Sequence, residues 1–302
     1  KAELIHPARF LFNAGSTPKV WNEKMLNDPH FKILFYEADS SKIFSNTDIK
    51  GGIAISYSDS TKDFGAIGTF TAFPELNDIV RKCRAKDEGS SLSSIIYTQV
   101  RFNLDSLYED HPECREVIGS NGKDRRFRNN AFEKISLFSE VSNSEDDIKV
   151  LGVLKNKRTW RYIPSKYVDE SHENLKQWKT LCPRANGAGV FGESLSPLVI
   201  GEPYIGYTQT FIGIGSFDNR FAADAVMKYI KSKFARTLLD VLKVTQDNDR
   251  SVWKLIPLQD FTQDSDIDWS KSIHEIDLQL YRKYGLSEDE IEFIETHVKE
   301  MA

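Results

Sequence analysis

Cysteine is scarce in this chain, with only Cys83, Cys114 and Cys182 among 302 residues. Their number is odd, they lie far apart and no two stand at metal-ligand spacing. This excludes a disulfide framework and fits a reducing, cytoplasmic setting. No run of 18 apolar residues occurs, so no membrane span and no membrane partner are expected. The opening Lys1-Ala2-Glu3-Leu4-Ile5-His6 lacks the apolar core of a secretion signal. Phosphate-binding loops of the GxxxxGK(S/T) kind are missing. Gly187-Ala188-Gly189 and Gly213-Ile214-Gly215 are isolated glycine pairs, too short for a dinucleotide fingerprint. There is no GxSxG nucleophile elbow and no HExxH pair, and the six histidines are scattered.

What is present is an ordinary globular mixture, 40 % apolar, 12 % aromatic and 28 % charged, long enough for two domains. The net charge of −5 hides a polarised chain. Between Lys149 and Arg184 nine basic residues face three acids, a local balance of +6. From Asp260 to the end, twelve acids face four bases, a balance of −8. Screening limits an exposed charge's reach to about 10 Å, so the local balance decides attraction to phosphate.

Element patterns alternate between helix and strand. Thr17-Pro18 opens a helix to Leu26, with the proline expected at its first position. Phe31–Tyr36 and Ile53–Tyr57 read as strands, which makes an edge of sheet with a helix laid over it. Phe73–Lys82 reads as a helix. Strands are expected at Ile148–Val153, Thr208–Ile214 and Trp253–Leu258. One continuous amphipathic helix is expected from Arg220 to Leu242. The tail from Asp268 reads as helical to a Gly285 C-cap, and Ser287-Glu288-Asp289-Glu290 forms a capping box opening a last helix.

Two stretches carry chemistry. Asn121–Asn130 places Arg125, Arg126 and Arg128 beside Phe127 and three amides, and Lys155–Tyr162 interleaves Lys155, Lys157, Arg158 and Arg161 with Trp160 and Tyr162. The planar fork of arginine matches guanine O6/N7, the amide of asparagine matches adenine N6/N7, and lysine neutralises phosphate. These seven residues, with Lys179 and Arg184, are the candidate DNA contacts. A solvated basic loop is the plain alternative. Two acid-then-acid-x-Lys patterns, Glu140 with Asp147 and Lys149, and Asp39 with Asp48 and Lys50, imitate a Mg²⁺-dependent nuclease without the usual Pro-Asp. No catalytic residue and no metal ligand is assigned.

Pro7–Gly15, Trp21–Leu26, Asp39–Phe44 and Asp48–Gly52 together resemble the later half of the catalytic domain of gamma-class N6-adenine DNA methyltransferases. These enzymes belong to bacterial type II restriction–modification systems, and some carry a fused nuclease. Ala222–Phe261, with Lys231–Arg236 and Thr245-Gln246-Asp247, is similar to their target-recognition part, as are Ser265–Ile273 and Tyr281–Ser287. The resemblance implies an α+β chain in three parts. Residues 1–60 would be a remnant of a Rossmann-like methyltransferase sheet, 61–258 a mixed α/β target-recognition domain, and 259–302 a helical tail.

It also implies what is missing. The glycine-bearing motif for S-adenosylmethionine and the Asn-Pro-Pro-Tyr that holds the target amine should precede Pro7, and neither occurs. An exocyclic amine is a poor nucleophile unless acceptors aim its lone pair at the methyl group. The chain is therefore expected to bind duplex DNA without methylating it, as a C-terminal piece partnered by the N-terminal methyltransferase part of its parent. S-adenosylmethionine would be a cofactor of the parent and not of this chain. Tyr57, on the hairpin after Gly52, would stack on the flipped adenine. The alternative from another class is a subunit-docking module using the acidic tail and its apolar stripe from Ile273 to Leu280.

Overall fold

The computed structural model describes residues 1–302 except 13–16, 48, 50, 51, 72, 88, 120–122, 188, 189, 244, 245 and 302. The fold is mixed α+β with antiparallel sheets, and the chain divides into two compact units, Lys1–Arg81 and Lys82–Ala302. No helix of the described residues is long and apolar enough to cross a membrane.

The first unit is built on a three-stranded sheet in the order β1 (Ala2–Pro7), β3 (Ile53–Ser58), β2 (Phe31–Glu37). β3 is antiparallel to both neighbours, so β1 and β2 run parallel. Parallel strands need a crossover, and α1 (Lys19–Leu26) supplies it. Pro18 is the N-cap of α1, one position earlier than the pattern predicts, with an extended ψ of 131°. Phe10, Leu11, Leu26, Phe31 and Ala54 close the small core. α2 (Pro74–Asp87) follows and runs across the boundary between the units.

The second unit opens with β4 (Ile96–Tyr97) and the short helices α3 (Leu104–Asp110), α4 (Cys114–Val117) and α5 (Ala131–Lys134). A hairpin of β5 (Asp147–Leu154) and β6 (Lys157–Pro164) comes next, then β7 (Trp178–Pro183), β8 (Val199–Gly201), β9 (Ile205–Tyr207) and β10 (Phe211–Phe217). These strands form two sheets, β4-β10-β7-β8 and β6-β5-β9. Both residues of the hairpin turn, Lys155 and Asn156, have positive φ of 48° and 61°. That mirror-image turn matches the right-handed twist of the strands it joins. Val100, Phe102, Phe127, Ile148, Val150 and Ile163 head the core beneath the hairpin.

β9 belongs to the hairpin sheet and β10 to the four-stranded sheet, so Thr208–Thr210 carry the chain from one to the other. The expected strand therefore starts three residues late, at Phe211. Tyr207 is fully buried just before this crossing, and its hydroxyl donates to Asn174 Oδ1 at 3.2 Å. Gly213 is required opposite it, because a Cβ there would collide with the Tyr207 ring and hydroxyl. Gly213 and Gly215 are thus packing and bulge positions of β10, with Gly215 at φ 88° where the β10–β7 register shifts.

The expected long helix is two helices, α6 (Arg220–Lys231) and α7 (Lys233–Leu242). Ser232 breaks it: its backbone is extended at ψ 148° and its hydroxyl caps Ala235 N–H at 3.1 Å. The expected strand at Trp253–Leu258 is also absent. A 3-10 turn covers Arg250–Trp253, capped by Asp249 through Ser251 N–H, and the Trp253 indole donates to Asn248 O at 3.1 Å. The tail forms α8 (Ile273–Tyr284), closed by left-handed Gly285, and α9 (Glu288–His297), with the foreseen Ser287–Glu290 capping box. α8 starts five residues later than the pattern predicts, at a second capping box between Ser272 and Glu275.

The tail packs into the second unit. Ile276 and Leu280, the centre of the supposed docking stripe, are fully buried. Asp277 reaches from α8 to the start of α7 and accepts the N–H groups of Lys233 (3.0 Å) and Phe234 (2.9 Å). Burial pushes its carboxyl up to about 6. Between about pH 4, where an unfolded aspartate titrates, and about 6, the folded chain holds a proton the unfolded chain has released. Stability from this group therefore falls as pH rises through that window. Urea denaturation across pH 4 to 6 should give a shallower decline for Asp277→Asn than for the wild type.

Candidate functional site

Three of the candidate arginines, from three separate segments, line one cleft of about 730 Å³. Arg128 follows the buried Phe127, Arg158 stands near the start of β6, and Arg184 follows β7. Asn129, Asn156, Gln209 and Gln246 line it with them, and Phe211 and Val153 supply apolar wall.

Backbone hydrogen bonds at the sheet crossing explain the convergence. Gln209 N–H donates to Phe127 O at 2.7 Å, fixing the residue next to Arg128. Thr208 N–H donates to Leu151 O at 2.9 Å, fixing the hairpin that carries Arg158. Thr210 O accepts Arg184 N–H at 2.9 Å. Asn248 holds the far wall, its N–H donating to Arg184 O at 2.7 Å and its side-chain amide to Pro183 O at 3.1 Å.

The three guanidinium groups are held differently. Arg128 donates to Asp124 at 2.8 Å, and Arg184 Nε lies 3.3 Å from Asp247 Oδ1. Arg158 has no carboxylate partner among the described residues. Its Nη2 donates to Pro197 O at 2.8 Å, and its guanidinium carbon lies 5.4 Å from the centre of the buried Phe211 ring. The four side-chain amides make no hydrogen bond to another described residue. Lys155 and Lys157 are exposed at the hairpin tip beside Asn156. The cleft thus combines fixed planar donors, free amides and an outlying pair of ammonium groups. Such a surface makes bidentate hydrogen bonds to planar acceptors and neutralises anions at its rim.

The remaining candidates go elsewhere. Arg125 lies 3.8 Å from Asp169 and lines a separate recess with Asn103 and Lys166. Arg126 pairs by its backbone with Arg101 and borders a small recess that Arg128 shares. Arg161 is held by Glu140 at 2.8 Å. Lys179 is a correction: it is fully buried and cannot reach a ligand in solvent. Its ammonium donates to the carbonyls of Asn174, Leu175, Gln177 and Glu202 at 2.8 to 3.2 Å. Burial pulls it down to about 7, and the four carbonyls act against that loss by favouring the charged form.

Tyr57, in the first unit, is half-buried and already engaged. Its hydroxyl donates to the buried Asp59 at 3.0 Å, its ring packs edge-on against Phe64, and Lys32 Nζ lies 5.7 Å from the ring centre. Burial first, and then the bond to Asp59, raise the phenol above its ordinary value.

The nuclease-like pattern does not converge. Glu140 serves Arg161, Asp147 accepts the N–H groups of Asn143 and Ser144, and Lys149 lies over the Trp160 ring at 4.7 Å. In the second pattern Asp39 caps a turn at Ser41, while Asp48 and Lys50 lie outside the described residues. So do Asn121 and Gly122 of the basic loop, Ala188 and Gly189, and Thr245. No group of three or more His, Cys, Asp or Glu suited to a metal occurs among the described residues.

Asn156, Gln209, Thr210 and Gln246 were not among the candidates. Asn156 carried a local signal, as the residue between two lysines at a strand-to-strand turn, and Gln246 stood in the Thr245-Gln246-Asp247 stretch of the resemblance. A larger recess, about 820 Å³, lies between α6 and the start of α8. Its Lys228 ammonium is already bound to the carbonyls of Trp269, Ser270 and Lys271, and it gathers no amides, so the arginine cleft has the better-defined chemistry. Comparison with known proteins finds no family model that matches the chain and no curated protein similar to it.

Replacing Lys179 with Met leaves four carbonyls without their shared donor. The expected cost is about 1–3 kcal/mol of unfolding free energy, measured by urea denaturation. A variant as stable as the wild type would show that the ammonium does not hold this turn.

Proposed function

We propose that the second unit recognises duplex DNA through the arginine and amide cleft, as the target-choosing part of an N6-adenine methyltransferase of a bacterial type II restriction–modification system. The observation that carries this reading is the convergence of Arg128, Arg158 and Arg184 with four free amides on one cleft. Guanidinium forks and carboxamides are the groups that match base edges in the major groove, and that groove is wide enough for a two-stranded β-ribbon. Lys155 and Lys157, at the tip of such a ribbon, suit the phosphates that set register.

The first unit supports the methyltransferase part of the reading. β1, α1 and β2 form a parallel strand–helix–strand passage, the connection on which α/β sheets are built. Among the described residues no strand pairs with the outer edge of β1. Leu4 and Ile5, on opposite faces of that strand, are 61 % and 60 % exposed. A strand with an exposed apolar residue on each face and an open edge suits the interior of a larger sheet. The N-terminal part of the parent would continue that sheet and supply S-adenosylmethionine and the Asn-Pro-Pro-Tyr motif.

The test is duplex DNA binding by the 302-residue chain over a range of salt concentrations. Log affinity should fall with log salt by about 0.9 per phosphate neutralised. The triple variant Arg128→Ala, Arg158→Ala, Arg184→Ala should bind at least about tenfold more weakly while keeping the wild-type circular dichroism spectrum. A flat salt response, or full affinity in the triple variant, would sink the assignment and favour a protein-docking role.

A further inference from the structure

We infer that Arg158 is the guanine-reading residue of the cleft, so that a guanine at one fixed position of the recognised site is chosen by this side chain. The inference rests on the DNA-recognition reading above and narrows it to one residue and one base.

Three observations single out Arg158. First, its charge is not neutralised: Arg128 and Arg184 each have a carboxylate within 3.3 Å, whereas Arg158 is fixed only by a neutral carbonyl, Pro197 O at 2.8 Å. Second, it lies over a buried aromatic ring. Phe211 is 2 % exposed at the head of β10, and the guanidinium carbon sits 5.4 Å from its ring centre. A fork held by a carbonyl on one nitrogen and by a ring beneath loses little freedom when it binds. Third, Nη2 gives one of its two hydrogens to Pro197 O while Nε and Nη1 have no partner among the described residues, so the second Nη2 hydrogen and the N–H beside it remain as an adjacent pair of donors.

Two parallel donors at fixed spacing match the O6/N7 pair of guanine, and a phosphate offers a similar pair of oxygens. The neighbours decide between them. Asn156 and Gln209 bring amides to the same cleft, groups that pair with base edges and do not neutralise phosphate. The lysines that suit phosphate stand outside it on the hairpin tip. Arg158 therefore meets the base edge.

The experiment is selection of bound duplexes from a randomised DNA pool, with the wild-type chain, Arg158→Lys and Arg184→Lys compared at one salt concentration. Arg158 is exposed, so the lysine variant keeps the fold, and it keeps the charge while losing the planar fork. The wild type should enrich guanine at one position, with a preference over other bases of about 5- to 150-fold. In Arg158→Lys that preference should collapse while the other enriched positions persist. Arg184→Lys should retain it. An unchanged guanine preference in Arg158→Lys, or its collapse only in Arg184→Lys, overturns the assignment while leaving DNA recognition standing. A wild-type chain that retains no duplex overturns both.

Discussion

A three-residue crossing between two sheets organises the second unit. At Thr208–Thr210 the chain leaves the hairpin sheet and has not yet joined the four-stranded one, so its peptide groups lie outside both regular ladders. Buried backbone donors and acceptors are satisfied almost without exception. Here they turn outward, to Leu151 O, Phe127 O and Arg184 N–H. Each of those partners belongs to a segment bearing one arginine of the cleft. The convergence of Arg128, Arg158 and Arg184 is thus a by-product of satisfying one stretch of main chain. The buried Tyr207, bonded to Asn174 and facing Gly213, fixes where that stretch begins.

Much of the architecture is legible in the sequence where one local pattern dominates. The hairpin strand at Ile148–Val153, the Gly285 cap and the Ser287–Glu290 capping box each depend on neighbours a few residues away, and each is found. The failures share a cause. Ser232 lies within an unbroken apolar periodicity, yet its hydroxyl and the distant Asp277 together start a new helix. Trp253 looks like a strand residue until its indole finds Asn248 O and Asp249 caps the turn. In both places hydrogen bonds that the apolar pattern does not encode outweigh it, from the distant Asp277 after Ser232 and from groups within five residues around Trp253.

The site was legible by residue type and not by position. Clustering of charge pointed to Arg128, Arg158 and Arg184, and equally to Lys179, which lies one residue inside β7 and is consumed by four carbonyls. β7 is buried on both faces from Lys179 to Pro183, which charge clustering does not reveal. Gln209 gave no signal because nothing in its own neighbourhood is basic, and Gln246 stood only within the Thr245-Gln246-Asp247 stretch of the resemblance, without being a candidate contact. They reach the cleft only through the sheet crossing and the Ala185–Asp247 bridge. The acidic tail likewise reads as a free surface in one dimension. In three dimensions Ile276 and Leu280 of its apolar stripe are core, while Leu278 stays outside with most of the charged side chains.

The tethers at residues 184, 208 and 209 are donated by peptide nitrogens, which every amino acid except proline supplies. What the cleft accepts is accordingly uncoupled from what keeps it standing. Side chains at 128, 158, 184 and 209 can be exchanged with these three bonds unaltered, whereas an imino acid at any of the three nitrogens would cut the tether made there.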